Sequence, residues 1–461
     1  MKTFSDLGLT GLDALYIILI GLGIFALTYF LYPPLIKCLK GRGYVGYDIH
    51  KKERPETAES GGLGATIGIL VGVSVVGLIY PPLRNEMVVF IITILTSTFI
   101  GWVDDRIQLS SITKIVLMVA SGVPIFVTQY VGFIDVQSPI LPIIGQLRLT
   151  VIYPLTLPII VAIMTNTVNM LEGYNGEGSG TTVIATFFLI VCGILAHSGE
   201  AVLFGVPVFF AILAFFLYNK YPAKIFPGDV GTLTIGASLA MLGILGSMEV
   251  VMALVMLTHI FNSFYVLASI HGWLKMKSIK DEVNIPDIWI DEDNTIHATK
   301  NKKAPLTLPR LLLAKGGLEE DELVNHFLAL ATISGLFALA SELIRQNTLN
   351  HEFCSPALCW TLGAICIVAF IGVLYKFPRI IGISLIMILL LFIGLLLFYI
   401  IDQFIITDPL NWLYSFSLAG IALLLWYSIT IKHFWHTMGN ISIEDPSFAQ
   451  EKKEAVEKQK N

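Results

Sequence analysis

The sequence predicts an all-α polytopic membrane protein, and two observations support this class. Of the 461 residues, 55% are hydrophobic and 14% are charged, whereas soluble domains have about 25% charged residues. Apolar runs also recur along the chain, and a helix needs roughly 20 such residues to cross about 30 Å of hydrocarbon. The alternating segments of about ten residues that build a membrane β-barrel do not occur in the sequence.

About thirteen membrane spans are predicted. They lie near residues 11–32, 60–80, 86–103, 114–130, 151–171, 181–197, 201–218, 231–247, 250–274, 326–344, 356–375, 380–401 and 409–431. No positively charged start with a short apolar stretch and a small-residue cleavage site precedes the first span, so we expect no removable signal peptide.

Lys and Arg predict the orientation, because positive residues in short loops stay on the cytoplasmic side. With the N-terminus outside and the C-terminus in the cytoplasm, the cytoplasmic segments hold 25 of the 29 Lys and Arg residues. The others are Lys2, Arg84, Arg148 and Arg345. This orientation places the polar segments described below on one face of the membrane.

Net charge and cysteine content argue against two further kinds of protein. A net charge of −5 with scattered basic residues gives no basic stripe for nucleic acid. The five cysteines form neither CxxC pairs nor zinc-site spacings with histidine, so we interpret them as small core residues. They are Cys38, Cys192, Cys354, Cys359 and Cys366.

The first polar segment, GYDIHKKERPETAESGGLG (46–64), joins the first two spans. Its basic residues Lys51, Lys52 and Arg54 are candidates to hold a phosphate. Glycines then open a helix whose N-terminal amides would face the same anion. These glycines are Gly61, Gly62 and Gly64. The structural alternative is a positive-inside anchor followed by a closely packed helix start.

The second segment, GWVDDRIQLSSITK (101–114), places Asp104 and Asp105 where a span leaves the membrane and Lys114 at the start of the next span. Adjacent helical residues point about 100° apart, so the two carboxylates can have different tasks. One can face a metal while the other orients a lysine or receives a proton. The alternative is a helix end capped by carboxylates, although negative charge there opposes the helix dipole.

The third segment, NTVNMLEGYNGEGSG (166–180), interrupts an apolar region. Asn166 and Asn169 share one helical face, and amides within a membrane need partners or a polar cavity. The glycines beyond them let the backbone approach a ligand closely. A hydrogen bond between helices would explain one asparagine but not the whole cluster.

The fourth segment, NKYPAKIFPGDVG (219–231), places Asp229 just before a span, where an N-cap is the alternative role. The expected topology nevertheless brings the carboxylates, asparagines and lysines of the separate segments to one face. Mg²⁺ prefers oxygen ligands and usually shares its coordination sphere with substrate phosphates. Together the segments predict a site for a divalent cation and phosphate.

These segments resemble the motifs of the polyprenyl-phosphate N-acetylhexosamine-1-phosphate transferases. VDD, NTVNMLEGYNG and FPGD match that family's DD pair, N-x-x-N-x-x-x-G-x-[ND]-G loop and [FV]-x-G-D stretch, in the same order. GYDIHK, AESGG and LTLPRLLLAKGGL are similar to the dolichyl-phosphate N-acetylglucosamine-1-phosphate transferase branch. The resemblance covers residues 10 to about 320.

The resemblance implies transfer of N-acetylglucosamine-1-phosphate from UDP-N-acetylglucosamine to a polyprenyl (dolichyl) phosphate at the cytoplasmic membrane face, with release of UMP. This is the first step of lipid-linked oligosaccharide synthesis for N-glycosylation. Another UDP-N-acetylhexosamine donor stays open. Both substrates and membrane lipids are the expected partners, with a homodimer as one oligomeric option. An archaeal cell membrane is favoured over the endoplasmic reticulum membrane.

The resemblance also implies residue roles. Asn169 and Asp229 would ligate Mg²⁺, with Mn²⁺ as the alternative ion, and Lys114 would hold a phosphate. Asp104 and Asp105 would position or deprotonate the lipid phosphate. Direct in-line attack is favoured over a covalent intermediate on Asp104, because phosphoryl transfer needs mainly positioning and charge neutralisation.

Further residues are implied for substrate binding. Arg310 would act in catalysis and hold the pyrophosphate and sugar, and Asn175 and Phe226 would hold the uracil. The complete substrate-binding set is Lys51, Glu59, Asn166, Asn175, Glu177, Phe226 and Arg310. Glu172 stands where bacterial members of the family have Asp, so its role is open.

The expected organisation follows from the spans and the resemblance. It comprises a transmembrane catalytic core (1–274), a cytoplasmic loop with a substrate-contacting element (275–325), C-terminal transmembrane helices (326–433) and a cytoplasmic tail (434–461). Within the loop, DIWIDEDNTIHA alternates apolar residues about DEDN and predicts a small β-hairpin.

Two other functions use similar residues. An intramembrane prenyltransferase also uses magnesium and aspartates, but DDRIQ lacks the last Asp of a DDxxD motif and no second cluster occurs in the sequence. A transporter predicts polar residues near mid-span and related halves. Here the polar residues gather near the predicted cytoplasmic ends, and the sequence shows no internal repeat.

Overall fold

The computed structural model describes residues 2–107, 109–142, 145–146, 152–269, 286–301, 304–349, 355–389 and 391, together with scattered positions between 421 and 436. The chain divides into two compact units. The first contains Met1–Asp48, Arg54–Ile260 and Phe327–Val373. The second contains Ile49–Glu53, Phe261–His326 and Leu374–Asn461.

Helices make up most of the described chain. They are α1 (Gly11–Gly41), α2 (Gly62–Ile79), α3 (Arg84–Ile107), α4 (Ser111–Ser121), α5 (Val123–Tyr130), α6 (Ile152–Leu171), α7 (Glu177–Leu195), α8 (Gly199–Asn219), α9 (Gly228–Leu245), α10 (Glu249–Val255), α11 (Leu257–Ser269), α12 (Leu308–Leu313), α13 (Glu320–Leu349) and α14 (Pro356–Lys376). Short 3₁₀ turns cover Pro81–Leu83 and Pro378–Ile380.

Ten helical segments in the described part are long and apolar enough to cross a membrane, with α4 and α5 counted together as Ile112–Tyr130. The pair α10 and α11 is bent by 67° and brings the number to eleven if it forms one span. Each predicted span up to residue 375 therefore coincides with one helix, with α4 and α5 together, or with this bent pair. The number thirteen stays a prediction, because half of span 380–401 and most of span 409–431 lie outside the described residues. At 380–401, the structure shows only the shorter apolar helix Pro378–Leu389.

Helix α9 is the most enclosed of these helices. In its apolar window 89% of the residues are buried, compared with 22% in α1 and 11% in α14. Small residues permit this close packing, since a Cβ at Gly236 would lie 2.5 Å from the Cα of Thr165 in α6. The first turn of α9, which carries Asp229, is thereby held among neighbouring helices.

Three antiparallel strand pairs accompany the helices in the described part. The pairs are β1 (Val45–Tyr47) with β2 (Glu56–Ala58), β3 (Ile140–Leu141) with β4 (Gly145–Gln146), and β5 (Ile288–Ile290) with β6 (Ile296–Ala298). The predicted hairpin in the late loop is confirmed by β5 and β6, which pair Ile290 with Ile296. The other two pairs were not predicted from the sequence.

The cysteines differ from the expectation at two positions. Cys192 and Cys366 are buried and free, as expected of small core residues. Cys38 is exposed at the end of α1, so the interpretation as a small core residue was wrong there. Cys359 in α14 is buried as expected, but it is disulfide-bonded. Cys354 lies outside the described residues.

Candidate functional site

The polar centre of the first unit lies where α3, α4, α6 and α9 meet. Lys114 of α4 places its Nζ 2.6 Å from Asp104 Oδ2 and 2.6 Å from Asp229 Oδ2. Asn169 of α6 donates its amide N–H to Asp229 Oδ1 and to the Thr232 hydroxyl, the latter at 2.9 Å. The structure therefore brings together four residues that the sequence placed in three separate segments.

Local capping holds Lys114 in place. The Ser110 hydroxyl accepts the backbone N–H of Thr113 at 3.3 Å and so starts α4. Asp104 Oδ1 accepts the backbone N–H of Leu109 at 2.7 Å, which ties the end of α3 to the loop before α4. Since both ends of this short connection are hydrogen-bonded, the lysine enters the site from a defined backbone.

Asp105 binds backbone rather than a side-chain cation. Its Oδ1 accepts the N–H of Asp229 at 2.6 Å, and its Oδ2 accepts the Ser60 hydroxyl at 3.0 Å. The carboxylate thus caps the N-terminus of α9 from a neighbouring helix, where the helix dipole favours negative charge. The two adjacent aspartates have different contacts, and the predicted role of Asp105 toward the lipid phosphate stays a prediction.

The glycine-rich start of α2 supports the same loop. The N–H groups of Gly61 and Gly62 donate to the carbonyls of Phe226 and Pro227 at 2.8 and 2.9 Å. A Cβ on Gly62 would lie 2.0 Å from the Cα of Gly231, so the two backbones are in direct contact. The expectation that these amides face an anion was wrong, because they are already bonded to the loop before α9.

Two predicted substrate-binding residues, Glu177 and Asn175, hold the loop after α6 in place. Glu177 Oε2 accepts the N–H groups of Gly173 and Tyr174 at 3.1 and 3.2 Å. The buried amide of Asn175 donates to Asp48 Oδ2 at 2.9 Å. Both side chains shape the loop in this structure, and their roles toward a nucleotide stay predictions.

Three further predicted residues lie in the first unit. Asn166 is half-buried and donates to the Met170 sulfur at 3.2 Å. Phe226 packs over Gly46, where a Cβ would lie 3.3 Å from the ring. Burial raises the pKa of the Glu59 carboxyl, and the nearby Asp229 carboxylate raises it further.

Two predicted residues belong to the second unit. Lys51 Nζ lies 3.8 Å from Glu320 Oε2. Arg310 in α12 is buried, and its guanidinium donates to the carbonyls of Thr299 and Asn301 at 2.9 and 2.6 Å and to that of Ala304 at 2.8 Å. These bonds close the loop before α12, so contact of Arg310 with pyrophosphate or sugar stays a prediction.

Sequence reasoning missed several residues of this region. Asp48 was not proposed, although it precedes the basic run of the first segment. Thr232 lies three positions after Asp229, on the same helical face, and this spacing was a usable signal. Arg106 directly follows the DD pair, but it was counted only as a positive-inside residue.

The donor set fits a hard divalent cation. Asp104 and Asp229 direct carboxylate oxygens at one ammonium group, and Asn169 adds an amide beside them. Carboxylate and amide oxygens are the ligands that Mg²⁺ prefers. Since both carboxylates contact the Lys114 ammonium group, they are close enough to bind one cation together.

Comparisons with known proteins agree with this geometry. The family model described as Glycosyl transferase family 4 matches residues 87–247, which include α3 to α9 and the polar centre, but neither Lys51 nor Arg310. A Saccharolobus solfataricus protein named "Putative UDP-N-acetylglucosamine–dolichyl-phosphate N-acetylglucosaminephosphotransferase" is 33% identical over 242 residues, 51% of this chain and 73% of the relative.

Two bacterial relatives carry related names. The "Probable undecaprenyl-phosphate N-acetylglucosaminyl 1-phosphate transferase" of Bacillus subtilis is 36% identical over 43% of this chain and 53% of the relative. The phospho-N-acetylmuramoyl-pentapeptide-transferase of Clostridium beijerinckii is 27% identical over 50% of this chain and 71% of the relative. The names differ in donor and acceptor, whereas each describes a transferase.

Proposed function

Because the chain belongs to glycosyl transferase family 4, we propose that it transfers N-acetylglucosamine-1-phosphate from UDP-N-acetylglucosamine to a polyprenyl phosphate such as dolichyl phosphate. The names of its relatives indicate glycosyl-1-phosphate transferase activity. The observation that carries the proposal is the convergence of Asp104, Lys114, Asn169 and Asp229 within the matched region.

The reaction requires little covalent chemistry from the protein. An oxygen of the lipid phosphate attacks the sugar-linked phosphorus of the donor, a new P–O bond forms, and the bond to the UMP oxygen breaks. A phosphate monoester has a second pKa near 6, so the acceptor is largely ionised at neutral pH and needs no strong base. This supports direct in-line transfer rather than a covalent intermediate on Asp104.

The polar centre supplies charge and position for this step. Asp104, Asn169 and Asp229 would hold Mg²⁺, which neutralises phosphate charge when bound. Lys114 lies between the two carboxylates and can move its charge toward an incoming phosphate. Asp105 holds the backbone of Asp229 at 2.6 Å, so it keeps this carboxylate in position.

Location and pathway form the finer part of the proposal. The protein is a multi-pass membrane protein, and we place its site at the cytoplasmic face, on the side that holds 25 of the 29 Lys and Arg residues. Cys359 is disulfide-bonded and falls near the predicted outer end of its span. This supports the orientation, because disulfides form in oxidising compartments. We further propose that the protein resides in an archaeal cell membrane and catalyses the first step of lipid-linked oligosaccharide synthesis. Its proposed oligomeric state is a homodimer.

The test is UMP release by purified protein in detergent with dolichyl phosphate, UDP-N-acetylglucosamine and Mg²⁺. We expect release that requires the acceptor and is lost with EDTA and in Asp229→Ala. Asp6→Asn, which changes a carboxylate in the N-terminal segment before α1, is the matched control and should stay active. Parallel reactions with other UDP-N-acetylhexosamines determine the donor. Absence of UMP release with every donor would contradict the proposed reaction.

A further inference from the structure

Arg106 is a cation beside the polar centre with unused hydrogen-bonding groups. It lies in the last turn of α3, immediately after the two aspartates. Its Nε is buried without a hydrogen-bond partner, and its recorded contacts within the described residues are with aromatic rings. A guanidinium has five N–H donors in a planar fork suited to phosphate oxygens, so this group is equipped for an anion.

The position of this guanidinium is well defined. Its central carbon lies 3.5 Å from the centre of the Tyr44 ring and 5.6 Å from that of Trp102. The backbone of Tyr44 is itself fixed, since its N–H donates to Leu39 O at 2.9 Å and its carbonyl accepts the Glu59 N–H at 3.0 Å. Stacking on a fixed ring orients the fork before any ligand arrives.

The charges around Arg106 differ from those around Lys114. Lys114 is shared by two carboxylates at 2.6 Å each. Arg106 is close enough to Glu59 to favour its ionised form, yet no ion pair joins the two within the described residues. The guanidinium therefore keeps its positive charge available at the edge of a site that contains several carboxylates.

The lipid-facing surface of α3 leads to this residue. Phe99 and Trp102 are 63% and 42% exposed, and their rings stack at 6.2 Å. These positions and Arg106 lie three and four residues apart, so they share one face of the helix. In a membrane-spanning helix an exposed apolar face meets hydrocarbon. A phosphate bound at Arg106 can thus carry an isoprenoid chain alongside α3.

We propose that Arg106, oriented by Tyr44, binds the phosphate group of the prenyl phosphate acceptor. The inference rests on the proposed function and names the residue that receives one of its substrates. A nucleoside diphosphate and an anionic phospholipid headgroup also offer phosphate oxygens to a guanidinium. The experiment therefore compares the prenyl phosphate with both of them. Arg106 acts as a binding residue that brings the acceptor phosphate to the polar centre from the lipid side.

The test measures equilibrium binding to the purified full chain in detergent. The probes are farnesyl phosphate, farnesol, UDP and phosphatidylglycerol. We expect Arg106→Ala to weaken farnesyl phosphate binding about 10-fold or more, the cost of losing charge-assisted hydrogen bonds. UDP and farnesol binding should change less than about 2-fold. Arg106→Lys should recover only part of the loss, because an ammonium cannot form the stacked fork.

Arg42→Ala is the matched control. Arg42 is an exposed arginine just after the end of α1, and its loss should leave all four affinities unchanged. UDP binding and the melting temperature report whether Arg106→Ala is folded. If it is not, Arg106→Gln and Tyr44→Ala provide the same comparison with smaller or more remote changes.

Each outcome decides between sources of the phosphate. Unchanged farnesyl phosphate affinity in Arg106→Ala would overturn the proposal, as would a selective loss of UDP binding or equal loss for phosphatidylglycerol. The reaction itself is tested separately by UMP release. If prenyl phosphate binding depends on Arg106 but no UMP is released, the binding site is retained and the proposed reaction is rejected. If UMP is released but prenyl phosphate binding does not depend on Arg106, the reaction is retained and the binding site is rejected.

Discussion

At the scale of single residues, neighbours in the sequence have different partners in the structure. Asp104 pairs with Lys114 at 2.6 Å, whereas Asp105 accepts the backbone N–H of Asp229 at the same distance. Helical geometry explains this, because adjacent side chains point about 100° apart. One carboxylate contributes charge to the polar centre, and the other determines where Asp229 stands.

Asp229→Asn should nearly abolish activity while leaving the fold intact. The substitution removes one negative charge from the proposed metal site. Loss of a single preorganised group that stabilises charge in the transition state, such as an oxyanion-hole donor, lowers the rate about 100- to 1000-fold, and we expect a similar loss here. Lys114 retains its pair with Asp104 at 2.6 Å, so the melting temperature should change little. UMP release and thermal unfolding are measured together, and an active Asp229→Asn would contradict the assigned role.

Asp105→Ala should lower stability as well as activity. It leaves the Asp229 N–H and the Ser60 hydroxyl without their acceptor, and loss of a helix cap costs about 0.5–2 kcal/mol. A drop of a few degrees in melting temperature is expected. Asp105→Asn keeps one acceptor oxygen, so it should recover part of the lost stability and part of the lost activity. An Asp105→Asn variant as stable as the parent but inactive would instead place this carboxylate at the reacting phosphate.

Glu172 should make stability depend on pH. Burial raises the pKa of its carboxyl from 4.5 to about 8, so the folded protein keeps a proton that the unfolded chain loses. The contribution to stability is then complete below pH 4.5 and is lost as the pH rises toward about 8. Glu172→Gln should flatten this decline in melting temperature, and Glu292→Gln, an exposed control, should not.

At the scale of elements, the start of α9 is held by backbone contacts with its neighbours. The start of α2 donates two N–H groups to the loop before α9. A Cβ at Gly101 of α3 would lie 2.5 Å from the Asp229 carbonyl oxygen. Glycines are required at these approaches because any side chain would displace the loop that carries Asp229.

Gly62→Ala should therefore disrupt the site. The added Cβ would lie 2.0 Å from the backbone of Gly231, which cannot rotate away as a flexible side chain can. Gly23→Ala is the matched control, since its Cβ would meet nothing within 4 Å and alanine favours helix by up to about 1 kcal/mol. We expect lower folded yield and activity for Gly62→Ala alone. Equal behaviour of the two variants would contradict the proposed close approach.

At the scale of the whole molecule, composition and cysteine chemistry point to the same orientation. The cytoplasmic assignment collects 25 of the 29 basic residues on one side. The exposed thiol of Cys38 falls at the predicted cytoplasmic end of α1, and the disulfide-bonded Cys359 falls near the predicted outer end of α14. A reducing cytoplasm and an oxidising exterior are consistent with both.

The native thiol of Cys38 tests this orientation without any substitution. A membrane-impermeant maleimide should label the chain in inverted vesicles and not in sealed right-side-out vesicles. Cys38→Ser should remove the label, because Cys192 and Cys366 are buried and Cys354 and Cys359 fall on the predicted outer side. Labelling from the outside that depends on Cys38 would reverse the proposed orientation and move the active site to the outer face.

The sequence alone determined the membrane class, the positions of the described spans and the identity of the residues at the polar centre. Hydrophobic runs and short motifs are local properties, so they can be read without knowing which helices are neighbours. It also predicted the β5–β6 hairpin, whose strands are only a few residues apart.

Only the tertiary structure decided which hydrogen-bond and stacking partners the polar residues have. The backbone partner of Asp105, the bonded amides of Gly61 and Gly62, and the carbonyl partners of Arg310 all depend on loop paths that no local pattern records. The stacking of Arg106 on Tyr44 likewise joins residues far apart in sequence. Hydrogen bonds and ring contacts extend only a few ångströms, so they exist only after packing has brought distant segments together.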